Sequence, residues 1–186
     1  MKILTFSTLY PNAQFPSHGI FVESRLRHLL ANFNDVSTRV VAPVPWFPFS
    51  DRRFGRYGKL AQVPQLEVRH GIQVLHPRYV QLPKIGMNLA PGFLAKASLP
   101  VLKDIIASGF DFDIIDAHYY YPDGVAAVAV GKQLGKPVVI TARGSDIHLI
   151  AQYTKPRARI LQSAHEAAAS ITVCEALKSE MTRLGA

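Results

Sequence analysis

The chain has a single cysteine, Cys174, which excludes an intrachain disulfide and fits a reducing compartment. Cys174 follows Val173 at the end of an apolar run, so its thiol is expected to be buried and structural. No apolar run reaches the roughly 18–20 residues that a membrane span requires, and any membrane contact is therefore expected to be peripheral. The opening Met1-Lys-Ile-Leu-Thr-Phe-Ser-Thr8 carries one positive charge and is too short for a signal peptide. It reads as a first strand, and the expected location is cytoplasmic. Internal repeats and low-complexity tails are missing, and so is a G-x-G-x-x-G loop after the first strand, which disfavours a dinucleotide fold. Acidic residues are in deficit: 13 against 21 basic ones leaves a formal net charge of +8. That balance favours anionic partners, whether phosphates, nucleotides, acidic polymers or an anionic membrane surface, without choosing among them.

What is present is a full-sized core. With 186 residues and 48% hydrophobic content, one domain is the default. Strand and helix patterns alternate, which predicts an open, mostly parallel, Rossmann-like α/β sheet with helices on both faces. Strands are predicted at 2–8, 36–42, 112–117, 137–142 and 170–174, with two short ones at 66–70 and 72–76 around Gly71. Helices are predicted at 19–33, with Val22, Leu26, Leu29 and Phe33 on one face, and within 91–108, where Pro100 introduces a kink. Further helices are predicted at 122–134, with Pro122 in the first turn, at 156–169, and at the end around Leu177, Met181 and Leu184. Residues 43–64 read as loop, because Pro43, Pro45, Pro48 and Pro64 interrupt any regular element. Leu184-Gly-Ala186 resembles a helix C-cap with no strand to follow, as expected of a piece ending at a domain edge.

In an open parallel sheet, ligands bind beyond the carboxyl ends of the strands. Two polar runs fall there on successive strands: Asp113-Ile-Ile-Asp-Ala-His-Tyr-Tyr-Tyr-Pro-Asp-Gly124 and Thr141-Ala-Arg-Gly-Ser-Asp146. They predict one shared cleft. His118, at the end of a buried strand, is the candidate hydrogen-bond donor or proton handler. Asp123 is a candidate for the same cleft, although Tyr-Pro-Asp-Gly is also an ordinary turn. Arg143 supplies a guanidinium suited to phosphate or sugar oxygens. Asp146 is either a substrate ligand or a helix N-cap. Gly19, in Ser17-His-Gly-Ile20, would let a backbone approach a ligand at a helix N-terminus, and a simple capping turn is the competing reading. The Tyr119–Tyr121 run combines packing with a surface on which a sugar ring or lipid could stack.

Asp111-Phe-Asp113 has the D-x-D spacing of some metal-dependent sugar transferases. It precedes its strand, however, and at about 3.3 Å per residue Asp113 lies roughly 16 Å from His118. These aspartates are read as strand-entry residues, and no metal is expected. The segment Trp46-Phe-Pro-Phe-Ser-Asp-Arg-Arg-Phe-Gly-Arg-Tyr-Gly-Lys59 interleaves aromatic and basic side chains. Without an RNA-binding signature or helix-turn-helix spacing, nucleic acid is disfavoured there. Acceptor binding, interfacial docking and a solvated loop stay open.

His18-Gly-Ile-Phe-Val-Glu23, Ala42-Pro-Val-Pro-Trp46, Asp113-Ile-Ile-Asp-Ala-His118, Tyr121-Pro-Asp-Gly124, Thr141-Ala-Arg-Gly-Ser-Asp146 and Ile171-Thr-Val-Cys174 occur in this order across nearly the whole chain. As a set they resemble the N-terminal half of family 4 retaining glycosyltransferases of GT-B architecture, most closely the bacterial cell-wall and exopolysaccharide group of teichuronic-acid type. The resemblance implies an acceptor-side domain at residues 1–186, facing a nucleotide-sugar-binding domain that this chain does not contain. It implies that Gly19 lies near the donor diphosphate or sugar, that His118 contacts the transferred sugar, and that Arg143 and Asp146 line the cleft. It further implies a nucleotide-sugar donor, a glycan or lipid-linked acceptor, and neither bound metal nor cofactor. One glycine precedes the first helix where many relatives have a pair, and the basic diphosphate clamp and paired glutamates of the second domain are missing. Residues 1–186 are thus expected to fold without transferring sugar. Two other readings compete: a sugar-nucleotide 2-epimerase on the same architecture, and a non-catalytic module docking on an anionic membrane or polymer.

Overall fold

The computed structural model describes residues 1–81 and 86–186. The chain opens with β1 (Lys2–Phe6), α1 (Ile20–Asn32) and β2 (Ser37–Val41). A strand–helix–hairpin insert follows: β3 (Val44–Pro45), α2 (Gly55–Ala61), β4 (Leu66–Arg69), β5 (Ile72–Leu75) and β6 (Arg78–Tyr79). Alternation then resumes with α3 (Ala90–Ala107), β7 (Ile114–His118), α4 (Val125–Leu134), β8 (Val138–Ala142), α5 (Ser145–His148), α6 (Thr154–Glu166), β9 (Ala169–Thr172) and α7 (Glu175–Leu184).

Seven strands form one sheet in the order β4-β5-β2-β1-β7-β8-β9, and β3 pairs with β6 separately. All pairings in the large sheet are parallel except β4 with β5, the hairpin turning at Gly71. From β1 the chain builds outward to β2 and β5, then returns to place β7 on β1's other side. The strand order therefore reverses at the β1–β7 boundary, the place where open α/β sheets open a crevice at their carboxyl edge.

Strand side chains alternate between faces, and the core divides accordingly. Val40 and Ala42 of the β2 region pack with Val22 and Leu26 of α1. Val41 belongs to the larger cluster, with Leu94, Leu102 and Ile105 of α3, Val128 of α4, and Ile115 and Ile140 of the sheet. Leu26 and Leu102 are wholly buried; truncating either to Ala would cost about 2–5 kcal/mol.

Several expectations shift. Residues 43–64 are not simply loop: β3 pairs through Val44 N and Trp46 N, which donate to Pro77 O and Tyr79 O, so the missing N–H of Pro45 costs no bond. The proline-free stretch 49–63 supplies α2, with Leu60 and Val63 buried beside Val44. Pro100 does not interrupt α3; it sits on the exposed side with Lys96, whose carbonyl loses its helical donor where water can replace it. Phe33 lies past the end of α1 and is exposed. The sixth helix stops at Glu166, because Ala168 N already donates to Val138 O to start β9. Residues 120–124 form a wide turn ahead of α4, so Pro122 precedes that helix. Cys174 is exposed, not buried: it stands beyond β9, an edge strand, at the entry of α7.

Candidate functional site

Asp116 and His118 alternate along β7 with Ile115 and Ala117, which join the large core cluster. The acid and the imidazole consequently point to the opposite face, where α1 lies. Arg25 of α1 meets them there: its Nη1 donates to Asp116 Oδ2 across 2.6 Å. The same carboxylate oxygen is 3.3 Å from His118 Nε2. From the next strand's end, Arg143 Nη2 stands 2.9 Å from His118 Nδ1. Two guanidiniums, one carboxylate and one imidazole thus converge at the β1–β7–β8 carboxyl edge.

The contact distances favour one tautomer. A guanidinium can only donate; Arg143 approaches Nδ1 at 2.9 Å, whereas Arg25 Nη1 stands at a longer 3.4 Å from Nε2, so the shorter contact favours a lone pair on Nδ1 and the ring proton on Nε2, facing Asp116. Burial pushes the His118 pKa down, with the Arg143 and Arg25 charges adding to the effect against the pull of Asp116. Burial pushes the Asp116 carboxyl up, but its hydrogen bond with His118 and the charge of Arg25 outweigh this and hold it below its ordinary value. His118 is fully enclosed, whereas Arg25 and Arg143 are half-buried. The side of the cluster that reaches solvent is therefore cationic. Arg143 rests over the Phe21 ring at 4.8 Å, and its Nε, like Asp116 Oδ1, is buried with no hydrogen-bond partner among the described residues.

Asp146 is wholly buried and acts from inside the first turn of α5. Its oxygens accept from Gly144 N at 2.8 Å, Arg143 N at 3.1 Å and Tyr120 N at 2.7 Å. It therefore ties the loop after β8 to the loop after β7 and fixes the backbone that carries Arg143. Asp123, equally buried, accepts from Thr8 N at 2.8 Å, Thr8 Oγ1 at 2.9 Å and Ser7 Oγ at 3.2 Å. Desolvation raises its pKa to about 7. Gly19 belongs to the same corner. With φ 65° it N-caps α1, and a Cβ there would stand 2.2 Å from the Leu9 carbonyl group. Both the positive φ and that close approach require glycine.

Beyond the ends of β1 and β2 lies a cavity of about 340 Å³, whose lining includes Thr8, Asn12, Phe15, His18, Arg56 and Tyr57. Burial lowers the His18 pKa, and its Nε2 is 3.1 Å from Thr8 O. Tyr120 and Tyr121 are core residues, leaving Tyr119, whose hydroxyl is 2.6 Å from Ser145 Oγ, as the partly exposed ring of that run. Asp111 pairs with Lys136 and Asp113 accepts from Lys2 N, at the sheet's amino edge. Among the described residues no group of three or more His, Cys, Asp or Glu could hold a metal ion.

The structure brings His118 and Arg143 into contact and places Asp146 immediately behind them. Asp123 and Gly19 instead organise the segment after β1. Arg25 and Asp116 were missed in the sequence. The signal was present in two places: a cation on the apolar side of a helix beside Val22 and Leu26, and an acid inside the buried run Ile114–Ala117. Each needs an opposite charge.

The chain is 29% identical over 186 residues to the "Putative teichuronic acid biosynthesis glycosyltransferase TuaC" of Bacillus subtilis (strain 168), covering 99% of this chain and 47% of that protein. It thus spans about half the length of the curated relative it matches. Its fold is similar to UDP-GlcNAc 2-epimerase from Methanocaldococcus jannaschii, with a TM-score of 0.59 at 11% identity over 100% of this chain and 43% of the other. UDP-GlcNAc 2-epimerase from Neisseria meningitidis, solved bound to UDP-GlcNAc, superposes with a TM-score of 0.57 at 16% identity, over 98% of this chain and 43% of the other. At these identities the structural likeness is one of fold. The model of Glycosyltransferase Family 4 matches residues 60–186, a span that includes Asp116, His118, Asp123, Arg143 and Asp146, and the chain belongs to that family.

Proposed function

We propose that this chain is the acceptor-side domain of an enzyme that moves a sugar from a nucleotide-sugar donor to a glycan or lipid-linked acceptor in cell-envelope or exopolysaccharide synthesis. The observation that carries the reading is the Arg25–Asp116–His118–Arg143 cluster at the sheet's switch point, in a chain of this family. The kinship with a teichuronic acid biosynthesis glycosyltransferase supports the envelope assignment.

In this mechanism Arg143 turns from His118 toward the donor's diphosphate, where a guanidinium best matches paired phosphate oxygens. That movement uncovers Nδ1, and its lone pair then accepts from a hydroxyl of the transferred sugar and orients the ring. Asp116 keeps the proton on Nε2 throughout. The departing diphosphate is met by fixed positive charge, here Arg143 and Arg25, together with cations of a nucleotide-binding domain that closes over this one. Neither a metal nor a cofactor is assigned a part, and the anomeric configuration is retained. The enzyme works in the cytoplasm, peripherally on the inner face of the membrane.

The test uses the uninterrupted natural protein that contains residues 1–186, a panel of nucleotide sugars, and acceptor-bearing envelope membranes with and without EDTA. Acceptor-dependent, EDTA-insensitive nucleotide release from one donor is expected, with the product's anomeric proton coupling matching the donor's. Free epimer formed without acceptor would replace the transferase reading with an epimerase. No release from any donor would overturn both.

A further inference from the structure

The segment between β2 and the hairpin is the least explained part of the surface. Trp46, Phe49, Phe54 and Tyr57 expose 56%, 55%, 37% and 51% of their area, all within twelve residues of one another. Phe49, Phe54 and Tyr57 do not splay outward singly. Phe49 and Phe54 stack with centroids 5.1 Å apart, and Phe47 bridges the set, 5.4 Å from Phe54 and 5.3 Å from Tyr57. Rings packed on one another present a joint apolar edge, whereas bases would need free ring faces on which to stack. Arg52, Arg53, Arg56 and Lys59 stand among them, all exposed, against one acid, Asp51. Asp51 is engaged by Arg53 at 3.2 Å and caps Arg53 N, so Arg52, Arg56 and Lys59 are without a carboxylate partner among the described residues.

An apolar edge ringed by uncompensated cations matches the boundary between acyl chains and acidic headgroups. We infer that residues 46–59 form a docking surface for an anionic lipid bilayer. The rings enter the interface, and Arg52, Arg56 and Lys59 meet the lipid phosphates. No helix among the described residues is long and apolar enough to cross a membrane, so attachment through this surface is peripheral.

The surface has a directional consequence. Arg56 and Tyr57 also line the 340 Å³ cavity beyond the ends of β1 and β2. A second cavity, whose lining includes Lys59, shares Phe15, His18 and Arg56 with the first. Docking sets the mouth of the acceptor-side cavity at headgroup level, which selects a lipid-linked acceptor over a free glycan. This last step rests on the transferase reading proposed above; the docking itself does not.

Trp46 is the chain's single tryptophan, so the protein carries its own probe. The 186-residue chain is titrated with phosphatidylcholine vesicles, with and without phosphatidylglycerol, at low and high salt. A blue shift of Trp46 emission, together with co-flotation, is expected with the anionic vesicles only, and it fades with salt. Arg52→Ala with Lys59→Ala weakens partitioning about 30-fold, taking ~1 kcal/mol per surface cation. Phe49→Ser with Phe54→Ser abolishes the shift while the thermal melt stays that of the parent chain. An unshifted Trp46 with anionic vesicles, or equal binding to neutral ones, would overturn the proposal, as would the same response to lipid-free polyglutamate. Docking by a chain whose natural protein releases no nucleotide would keep this surface and remove the transferase reading. Transfer to a water-soluble acceptor without docking would do the reverse.

Discussion

Arg143 Nη2 and His118 Nδ1 face each other across 2.9 Å, and this contact, shorter than the 3.4 Å from Arg25 Nη1 to Nε2, favours the imidazole proton on Nε2. Because Nδ1 accepts, His118 is held as the Nε2–H tautomer, with Asp116 as the partner of that proton. ¹⁵N spectra of histidine-labelled protein at neutral pH should show one protonated nitrogen, Nε2, and a titration midpoint below the ordinary histidine value. Asp116→Asn removes the charge that supports imidazolium, so the midpoint should fall further. A mixture of tautomers in the parent protein would contradict the geometry.

Asp146 gives a stability prediction. Its two oxygens receive three backbone N–H groups in a fully buried place, and charge-assisted bonds of this kind are worth about 1.5–3 kcal/mol each. Asp146→Ala should cost about 3–5 kcal/mol in chemical denaturation. Asp146→Asn should also destabilise, since its amide N–H₂ must face backbone donors at one of the two oxygen positions. A loss below about 1 kcal/mol for either variant would mean that the loops after β7 and β8 are tied by other contacts.

Gly19→Ala tests the entry to α1. The left-handed backbone alone costs about 1–2 kcal/mol for an L-residue, and the Cβ would also have to displace the Leu9 carbonyl. A loss of at least 2 kcal/mol is expected, read as a lower denaturation midpoint. A neutral effect would show that the segment after β1 yields easily.

The pH dependence of stability separates Asp123 from His118. Asp123 has its pKa raised by burial to about 7, so the folded state binds the extra proton and this contribution declines as pH rises from about 4 to 7. The lowered pKa of His118 acts in the opposite sense, favouring the fold as pH rises toward the free-histidine value. Asp123→Asn keeps an acceptor for Thr8 N but cannot ionise. The melting temperature of Asp123→Asn relative to the parent protein should climb through that interval and level off above pH 7. A difference independent of pH would show that Asp123 titrates normally in the fold.

The parallel sheet was legible because strands such as 114–118 and 138–142 are mostly apolar and buried, with His118 and Thr141 toward their carboxyl ends and Asp116 the one charge inside. His118 and Arg143 followed from that placement alone. The Arg25–Asp116 pair was not legible as a pair, because the residues lie 91 positions apart and only the packing of α1 on β7 brings them together. Asp146 and Asp123 were each open between a ligand and a local structural role, which loop position does not separate; in the structure Asp146 accepts three backbone N–H groups, and Asp123 accepts Thr8 N and the Ser7 and Thr8 hydroxyls. The helix within 55–61 was hidden by prolines on either side, which mark the ends of elements as readily as their absence. Cys174 was misread because an apolar run signals burial only where both faces of its strand are covered, and β9 is an edge.

The most direct test of the account is the kcat/KM for acceptor-dependent nucleotide release by the uninterrupted natural protein carrying His118→Ala, measured beside the parent enzyme and its thermal melt. A fall of about 100-fold or more with the fold retained is predicted, as for removal of one polar contact made in the transition state. Near-parental transfer by a folded His118→Ala protein would make the Arg25–Asp116–His118–Arg143 cluster a packing arrangement and contradict the mechanism built on it.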